Sequence, residues 1–259
     1  MSIISIKNLK KSFINNNRNV EVLGDVNLEI ERGEFLAIFG PNGCGKTTLL
    51  NIIANLIKQD SGQIIFQEHS IEKAKVSYIF QNYRETLFPW LKVIDNITLP
   101  LKLEGIEKHE REKRAKELVE RFHLQIDLNE YPYSLSGGQQ QLLALLRGLI
   151  VKPDLLLLDE PFSALDYQTT LFLYQKLLEI WESIKTTVIF ISHNIDEAIF
   201  LSNRFIMFST KPTKVMIDRS VDLSYPRRLS LFTDDRFTNL KGELLEDFSQ
   251  EVFNNNLKE

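Results

Sequence analysis

The order of hydrophobic and polar positions divides the chain into strands of two kinds and a set of helices. Residues 3–9 alternate apolar and polar, as do Val26-Asn27-Leu28-Glu29-Ile30. Period-two alternation predicts two half-exposed antiparallel strands. The run Asn15-Asn16-Asn17-Arg18-Asn19 between them reads as a polar turn. Phe35-Leu36-Ala37-Ile38-Phe39 and Leu155-Leu156-Leu157-Leu158 are unbroken apolar runs, which suit strands buried on both faces. Gln63 to Phe66, introduced by the turn Asp60-Ser61-Gly62, and Val76 to Phe80 read as further strands. Thr186 to Ser192 is β-branched, and with Phe205 to Phe208 it completes the predicted sheet. Helices are predicted from Thr47 to about Leu56, from Glu107 to His123, after Ser136, and from Asp166 to about Ser183. The second of these carries Ala115, Leu118, Val119 and Phe122 on one face. From Asn82 to Ile150 the pattern is helical, whereas strands and helices alternate elsewhere, which predicts an α/β protein. Pro226-Arg227-Arg228 reads as a loop, and Leu240 to Phe253 as a short helix.

Composition narrows the class. Of 259 residues 43% are hydrophobic and 25% charged, ordinary for a globular chain with a full core. A net charge of −4 argues against a general nucleic-acid binder. The charge run from Glu107 to Arg114 reads as a solvated helix face. The single cysteine, Cys44, permits no intramolecular disulfide. Residues 1–7 lack a basic region followed by a long apolar core, so no signal peptide is expected. No apolar stretch approaches the roughly 20 residues of a membrane span, so any membrane role is expected to run through a partner.

The chemistry begins at Gly40-Pro41-Asn42-Gly43-Cys44-Gly45-Lys46-Thr47, set between a strand and a helix. This is the G-x-x-x-x-G-K-[ST] phosphate-binding loop. Its glycines let successive N–H groups point at phosphate oxygens, Lys46 can reach the β- and γ-phosphates, and the Thr47 hydroxyl can coordinate Mg²⁺. The helix opening at Thr47-Thr48 adds its positive dipole end. Cys44 reads as a small residue tolerated in the loop, with a reactive thiolate as the alternative. Asp159-Glu160 end a buried strand, where acids are costly unless they are paired or serve chemistry. Asp159 is placed to hold Mg²⁺ through water, and Glu160 to orient or deprotonate a water. Gln81 and His193 also fall at strand ends, where open α/β sheets bind ligands. Ser136-Gly137-Gly138-Gln139 start a helix and read either as an anion site or as a capped turn. Phe13 reads as core by pattern, with stacking on a base as the alternative.

Taken in order, the loop at 40–47, Gln81, Leu135 to Gln139, Leu155 to Glu160, Ser163 to Asp166 and His193 resemble the ATP-binding subunits of ABC transporters over about residues 3–220. The resemblance implies a P-loop NTPase (RecA-like) core with an N-terminal antiparallel β subdomain and an inserted helical subdomain at about 83–150. The ATP-binding domain would span 3–235, with a C-terminal tail at 236–259. Phe13 would stack on adenine, Gly40 to Thr48 would wrap the phosphates, and Lys46 would contact the γ-phosphate. Thr47, Gln81 and Asp159 would serve Mg²⁺, Glu160 would be the general base, and His193 would contact the γ-phosphate and the attacking water. Two subunits would sandwich two ATP molecules, with Ser136, Gly137, Gly138 and Gln139 reaching the ATP of the other subunit and Asp166 near the seam. Gln81 through Asn96, Ser163 to Thr169 and Asn194 to Ile199 look like the nitrate/sulfonate/taurine importer group, in which 84–96 would form much of the groove for a permease helix. Three positions depart from the family pattern: Leu142 for a basic residue, Gly148 for Ala, and Asn194 for Asp. None removes a catalytic group.

The function expected on this resemblance is the ATP-hydrolysing, energy-coupling subunit of a bacterial importer for a small anion of sulfonate or nitrate type. It would bind ATP and Mg²⁺ and form a homodimer. It would lie on the cytoplasmic face of the cell membrane beside permease subunits, would serve a substrate-binding protein indirectly, and would bind no nucleic acid. The alternatives are a soluble ABC-type ATPase acting on nucleic acid or ribosomes, and a nucleotide-binding regulator without turnover.

Overall fold

Residues 2–15, 18–66 and 74–256 are described in the structure, a computed structural model, with side chains through residue 251. Asn16 and Asn17 of the predicted turn lie outside the described residues. The contacts of the chain divide it into two units, one of residues 1–74 and 187–259 and one of residues 75–186.

The first unit holds two sheets. Strands β1 (Ser2–Asn15) and β2 (Arg18–Glu31) pair antiparallel, and β4 (Ser61–Phe66) covers the other edge of β1 between Ile4 and Lys10. Both long strands run well past the predicted 3–9 and 26–30, because shifts of register at Leu9 and Lys10 absorb the breaks in alternation. Where β4 passes Asn8, a Cβ on Gly62 would lie 2.4 Å from the Asn8 carbonyl oxygen, so only glycine fits.

In the second sheet β3 (Phe35–Phe39) lies between β7 (Thr187–Ser192) and β8 (Arg204–Phe208), all parallel. Every residue of β3 and β7 is buried, as the apolar runs predict. The sheet does not end at Phe208. Strand β9 (Val215–Ser220) adds antiparallel to β8, held by the Arg204 guanidinium, which donates to Asp218 at 2.6 Å and to Glu34 at 3.2 Å.

Helices α1 (Lys46–Ile53), α7 (Ile195–Leu201) and α8 (Asp235–Asn256) complete this unit. α8 has 22 residues, longer than the predicted 240–253, and buries Phe237 and Leu244. Its Phe248 ring meets Phe39 edge-on at 5.0 Å, and Lys241 Nζ lies 2.8 Å from the Asp196 carboxylate of α7. The predicted loop at 226–228 contains a buried arginine. Arg227 donates to the carbonyls of Ile199, Phe200 and Ser202 at 2.8, 2.9 and 2.7 Å and to that of Leu223 at 2.9 Å. It thereby satisfies carbonyls that a helix end leaves without partners and places a cation at the negative end of α7.

In the second unit β5 (Val76–Ile79) and β6 (Leu155–Asp159) pair in parallel. Its helices are α2 (Tyr83–Thr86), α3 (Val93–Leu103), α4 (Lys108–Arg121), α5 (Gly137–Leu149) and α6 (Tyr167–Ile184). Along α4, Arg114 pairs with Glu110 at 2.8 Å and Lys108 with Glu112 at 3.6 Å, so the charge run is the solvated face of the helix. Ala115 is buried beneath it. No helix among the described residues is long and apolar enough to cross a membrane.

Candidate functional site

In the first unit the register of the sheet places the phosphate loop. Phe39 at the end of β3 lies beside Ser192 at the end of β7, so Gly40 and His193 leave neighbouring parallel strands at one level. His193 is exposed there, and Asn194 caps α7 by accepting from the Asp196 N–H at 2.9 Å, the service the more usual Asp would give. Gly43 has φ +71° and Gly45 φ +122°, conformations open to glycine. A Cβ on Gly45 would lie 2.8 Å from Val22 Cγ1, and one on Gly40 3.0 Å from Phe208 Cβ, so β2 and β8 hold the loop closely.

The buried Lys46 ammonium donates back to the carbonyls of Gly40 at 2.8 Å and Pro41 at 3.0 Å. α1 starts at Gly45 with no side-chain cap and no acid in its first turn. A lysine, a run of glycine-rich backbone and an uncapped helix end make a donor set that fits a polyphosphate. Pro41, Asn42, Thr47 and Thr48 are at least part-exposed along the loop. Cys44 is buried, and burial pushes its thiol pKa up, which leaves it the inert small residue rather than a thiolate. Phe13 departs from its core reading: it is 41% exposed, with Lys11 Nζ 5.3 Å from the ring centroid.

The second unit carries the acids. Ile79 lies beside Leu158, so the residues leaving β5 and β6 emerge together. The Gln81 amide donates to Glu160 Oε2 at 3.0 Å. Asp159 is buried and accepts from the Tyr78 hydroxyl at 3.2 Å. Burial and the neighbouring Asp159 carboxylate push the Tyr78 pKa far up, so the phenol stays a donor. Glu160 sits at φ +44°, and its carbonyl accepts from Ser163 Oγ at 3.1 Å. A non-glycine residue in the left-handed region costs about 1–2 kcal/mol. Here it turns the chain sharply enough to bring the Glu160 carboxylate against Gln81. Gln81 and Asp159 offer oxygen donors of the kind Mg²⁺ takes, and that ion is often held by one or two carboxylates plus substrate phosphates.

Ser136 heads α5 in a reciprocal capping box. Its hydroxyl accepts from the Gln139 N–H at 3.3 Å, while its own N–H donates to Gln139 Oε1 at 3.0 Å. The Gly137 carbonyl accepts from the Tyr83 hydroxyl at 3.1 Å, and a Cβ on Gly138 would run into Thr169 Cγ2 at 2.2 Å. Leu142 is buried, and the polar support of α5 comes instead from Gln140, which donates to Pro132 O at 2.9 Å, and from Tyr83. Gly148 faces Ile79, where a Cβ would have only 3.0 Å, so the departure from Ala has a packing reason. Asp166 caps α6 by accepting from Thr169 N at 3.0 Å, and its hydrogen bonds with Thr169 hold its pKa below the usual range. In the 84–96 stretch the buried Asn96 amide donates to the carbonyls of Phe88 and Leu91, both at 3.0 Å. Trp90 stands 71% exposed beside Phe88.

Sequence reading singled out neither Tyr78 nor Tyr83. Each is an ordinary strand or helix residue until the fold brings its hydroxyl to a partner dozens of positions away.

Comparison with known proteins gives a consistent picture. The family described as ABC transporter matches residues 23–163. The chain is 43% identical over 249 residues to the aliphatic sulfonates import ATP-binding protein SsuB of Bacillus cereus, covering 95% of this chain and 96% of that one. It is 35% identical over 257 residues to the taurine import ATP-binding protein TauB of Pseudomonas aeruginosa, covering 96% of each. Among solved structures, the dimeric bacterial ABC transporter cassette MJ0796 superposes with TM-score 0.73 at 32% identity, over 85% of this chain and all of that one. Its post-hydrolysis state, bound to ADP and Pi, gives 0.72.

Proposed function

The chain belongs to the ABC transporter family, and from that premise we propose that it is the ATP-hydrolysing, energy-coupling subunit of an importer for a small organic anion, a sulfonate first among the candidates. The single observation that carries the hydrolytic part is the strand-exit pair in which Gln81 holds the carboxylate of Glu160 at 3.0 Å, next to the buried Asp159. The solute class is supported by relatives named for aliphatic sulfonates and taurine, which match nearly the whole chain. Those import subunits also favour this reading over an ATPase acting on nucleic acid or ribosomes.

In this reading Phe13 stacks on adenine, and its partial exposure supports that role. Gly40, Pro41, Asn42, Gly43, Cys44, Gly45 and Thr48 wrap the phosphates with backbone N–H groups. Lys46 exchanges the Gly40 and Pro41 carbonyls for phosphate oxygen. Mg²⁺, when bound, offsets charge on the β- and γ-phosphates, and Thr47, Gln81 and Asp159 are the residues that would hold it. Glu160 accepts the proton of the attacking water, oriented by the Gln81 amide, and His193 positions the γ-phosphate and that water. Ser136, Gly137, Gly138 and Gln139 serve an ATP held by a second subunit, and the exposed Trp90 with Phe88 forms part of the permease seat. The protein then works on the cytoplasmic face of the membrane, with a substrate-binding protein supplying the permease.

Glu160→Gln keeps the hydrogen bond acceptor at Oε but removes the base. We expect ATP affinity close to wild type and turnover lowered by about 10²–10⁴-fold. Wild-type turnover in that variant sinks the assignment of Glu160. For the transport reading, deletion in the native host should abolish growth on an alkanesulfonate as sole sulfur source while sparing growth on sulfate. Undiminished growth on the sulfonate removes the solute proposal and leaves the ATPase standing.

A further inference from the structure

Thr213, in the turn between β8 and β9, is fully buried although it is polar. Its backbone splices onto β2: its N–H donates to Val22 O at 2.9 Å, and its carbonyl accepts from Gly24 N at 2.9 Å. Its hydroxyl donates to the carbonyl of Cys44 in the phosphate loop. The peptide linking Cys44 to Gly45 is planar and trans, so its C=O and N–H point in opposite directions. Fixing the Cys44 carbonyl toward Thr213 therefore turns the Gly45 N–H the other way, into the curl of the loop. The side toward Thr213 is already filled, because a Cβ on Gly45 would meet Val22 and Leu23 at 2.8 and 3.0 Å and Thr213 Oγ1 at 3.6 Å.

We infer that Thr213 is a positioning residue for nucleotide binding: its hydroxyl presets the Gly45 N–H toward the phosphates, and its backbone ties the loop to the strand that pairs with Phe13's. The inference rests on the reading that residues 40–48 hold the phosphates. A loop whose peptide is already turned loses less conformational freedom when a phosphate arrives, and this lowers Kd without a new contact to the ligand. Thr213 lies about 170 residues from the loop in sequence, and no local pattern marks it.

Two variants of the full chain test it. Thr213→Val keeps the β-branched shape and removes the hydroxyl, whereas Thr213→Ser keeps the hydroxyl and removes the methyl. Calorimetric titration with ATP should show Thr213→Val weakened about 10-fold, or about 1.4 kcal/mol. KM for ATP should rise in step, with kcat at saturation within about 2-fold of wild type. Thr213→Ser should recover ATP affinity to within about 2-fold even where its melting temperature falls through lost packing. Wild-type ATP affinity in Thr213→Val, or equal weakness in the two variants, overturns the inference. Lys46→Ala run alongside separates the two levels: if it binds ATP as the wild type does, the phosphate-loop reading fails and this inference falls with it.

Discussion

Two helices of the molecule have glycines at their start, α1 after the phosphate loop and α5 in its own first turn, and they are capped in different ways. α1 has a glycine cap, no side-chain acceptor and no acid in the first turn. α5 is closed by the Ser136–Gln139 box, in which each residue satisfies the other. A helix end without partners is costly unless something fills it. At α1 no side chain caps the end, and a lysine is folded over the loop, an arrangement suited to a phosphate. At α5 the Ser136 hydroxyl already accepts from the Gln139 N–H, and it keeps its own proton to donate. One end has no side-chain cap, and the other carries its own.

The largest disturbance of this contrast comes from Gly45→Ala. A methyl there meets Val22 Cγ1 at 2.8 Å, and φ +122° is strained for any L side chain. ATP affinity measured by calorimetry should drop by about 30-fold or more, since about 2 kcal/mol or more of strain fall on the loop itself. Unaltered affinity would break the view that the loop is held rigidly by β2. Thr47→Asp should invert α1 by supplying the missing negative charge. The free chain should gain roughly 0.3–1 kcal/mol of stability, read as a raised melting temperature, while ATP binding weakens at least about 10-fold through repulsion of the phosphates. The smallest effect is expected from Ser136→Ala, which removes the cap of α5 at a cost of about 1 kcal/mol, a fall of roughly 2–4 °C in melting temperature for a chain of this size. A larger loss there than in Gly45→Ala would reverse the contrast.

The parts of the molecule that were legible in sequence are those fixed by local chemistry. β3 and the four leucines of β6 are continuous apolar runs, and they are buried throughout. The phosphate loop, Gln81, Asp159-Glu160, Ser136 to Gln139 and His193 fall at the ends of strands or helices, as their spacing implied. What was hidden depended on neighbours remote in sequence. Phe13 reads as core, yet β4 pairs with β1 only as far as Lys10, and beyond it the ribbon has two strands and, among the described residues, no third to cover the ring. β9 was missed because Asp218 and Arg219 make it look polar, and Asp218 is matched by Arg204. Arg227 looks like a loop residue until α7 turns its last carbonyls toward it.

The edge-on contact of Phe248 with Phe39 also sets a timetable. The partner of the strand that launches the phosphate loop is encoded about 200 residues later. A ribosome adding about 5–20 residues per second leaves Phe39 waiting on the order of 10–40 s for it. The helical unit of residues 75–186 is continuous and can be completed in the interval. During manufacture, then, a newborn chain gains the Phe248 ring beside its phosphate-loop strand only after the whole 75–186 unit has been made.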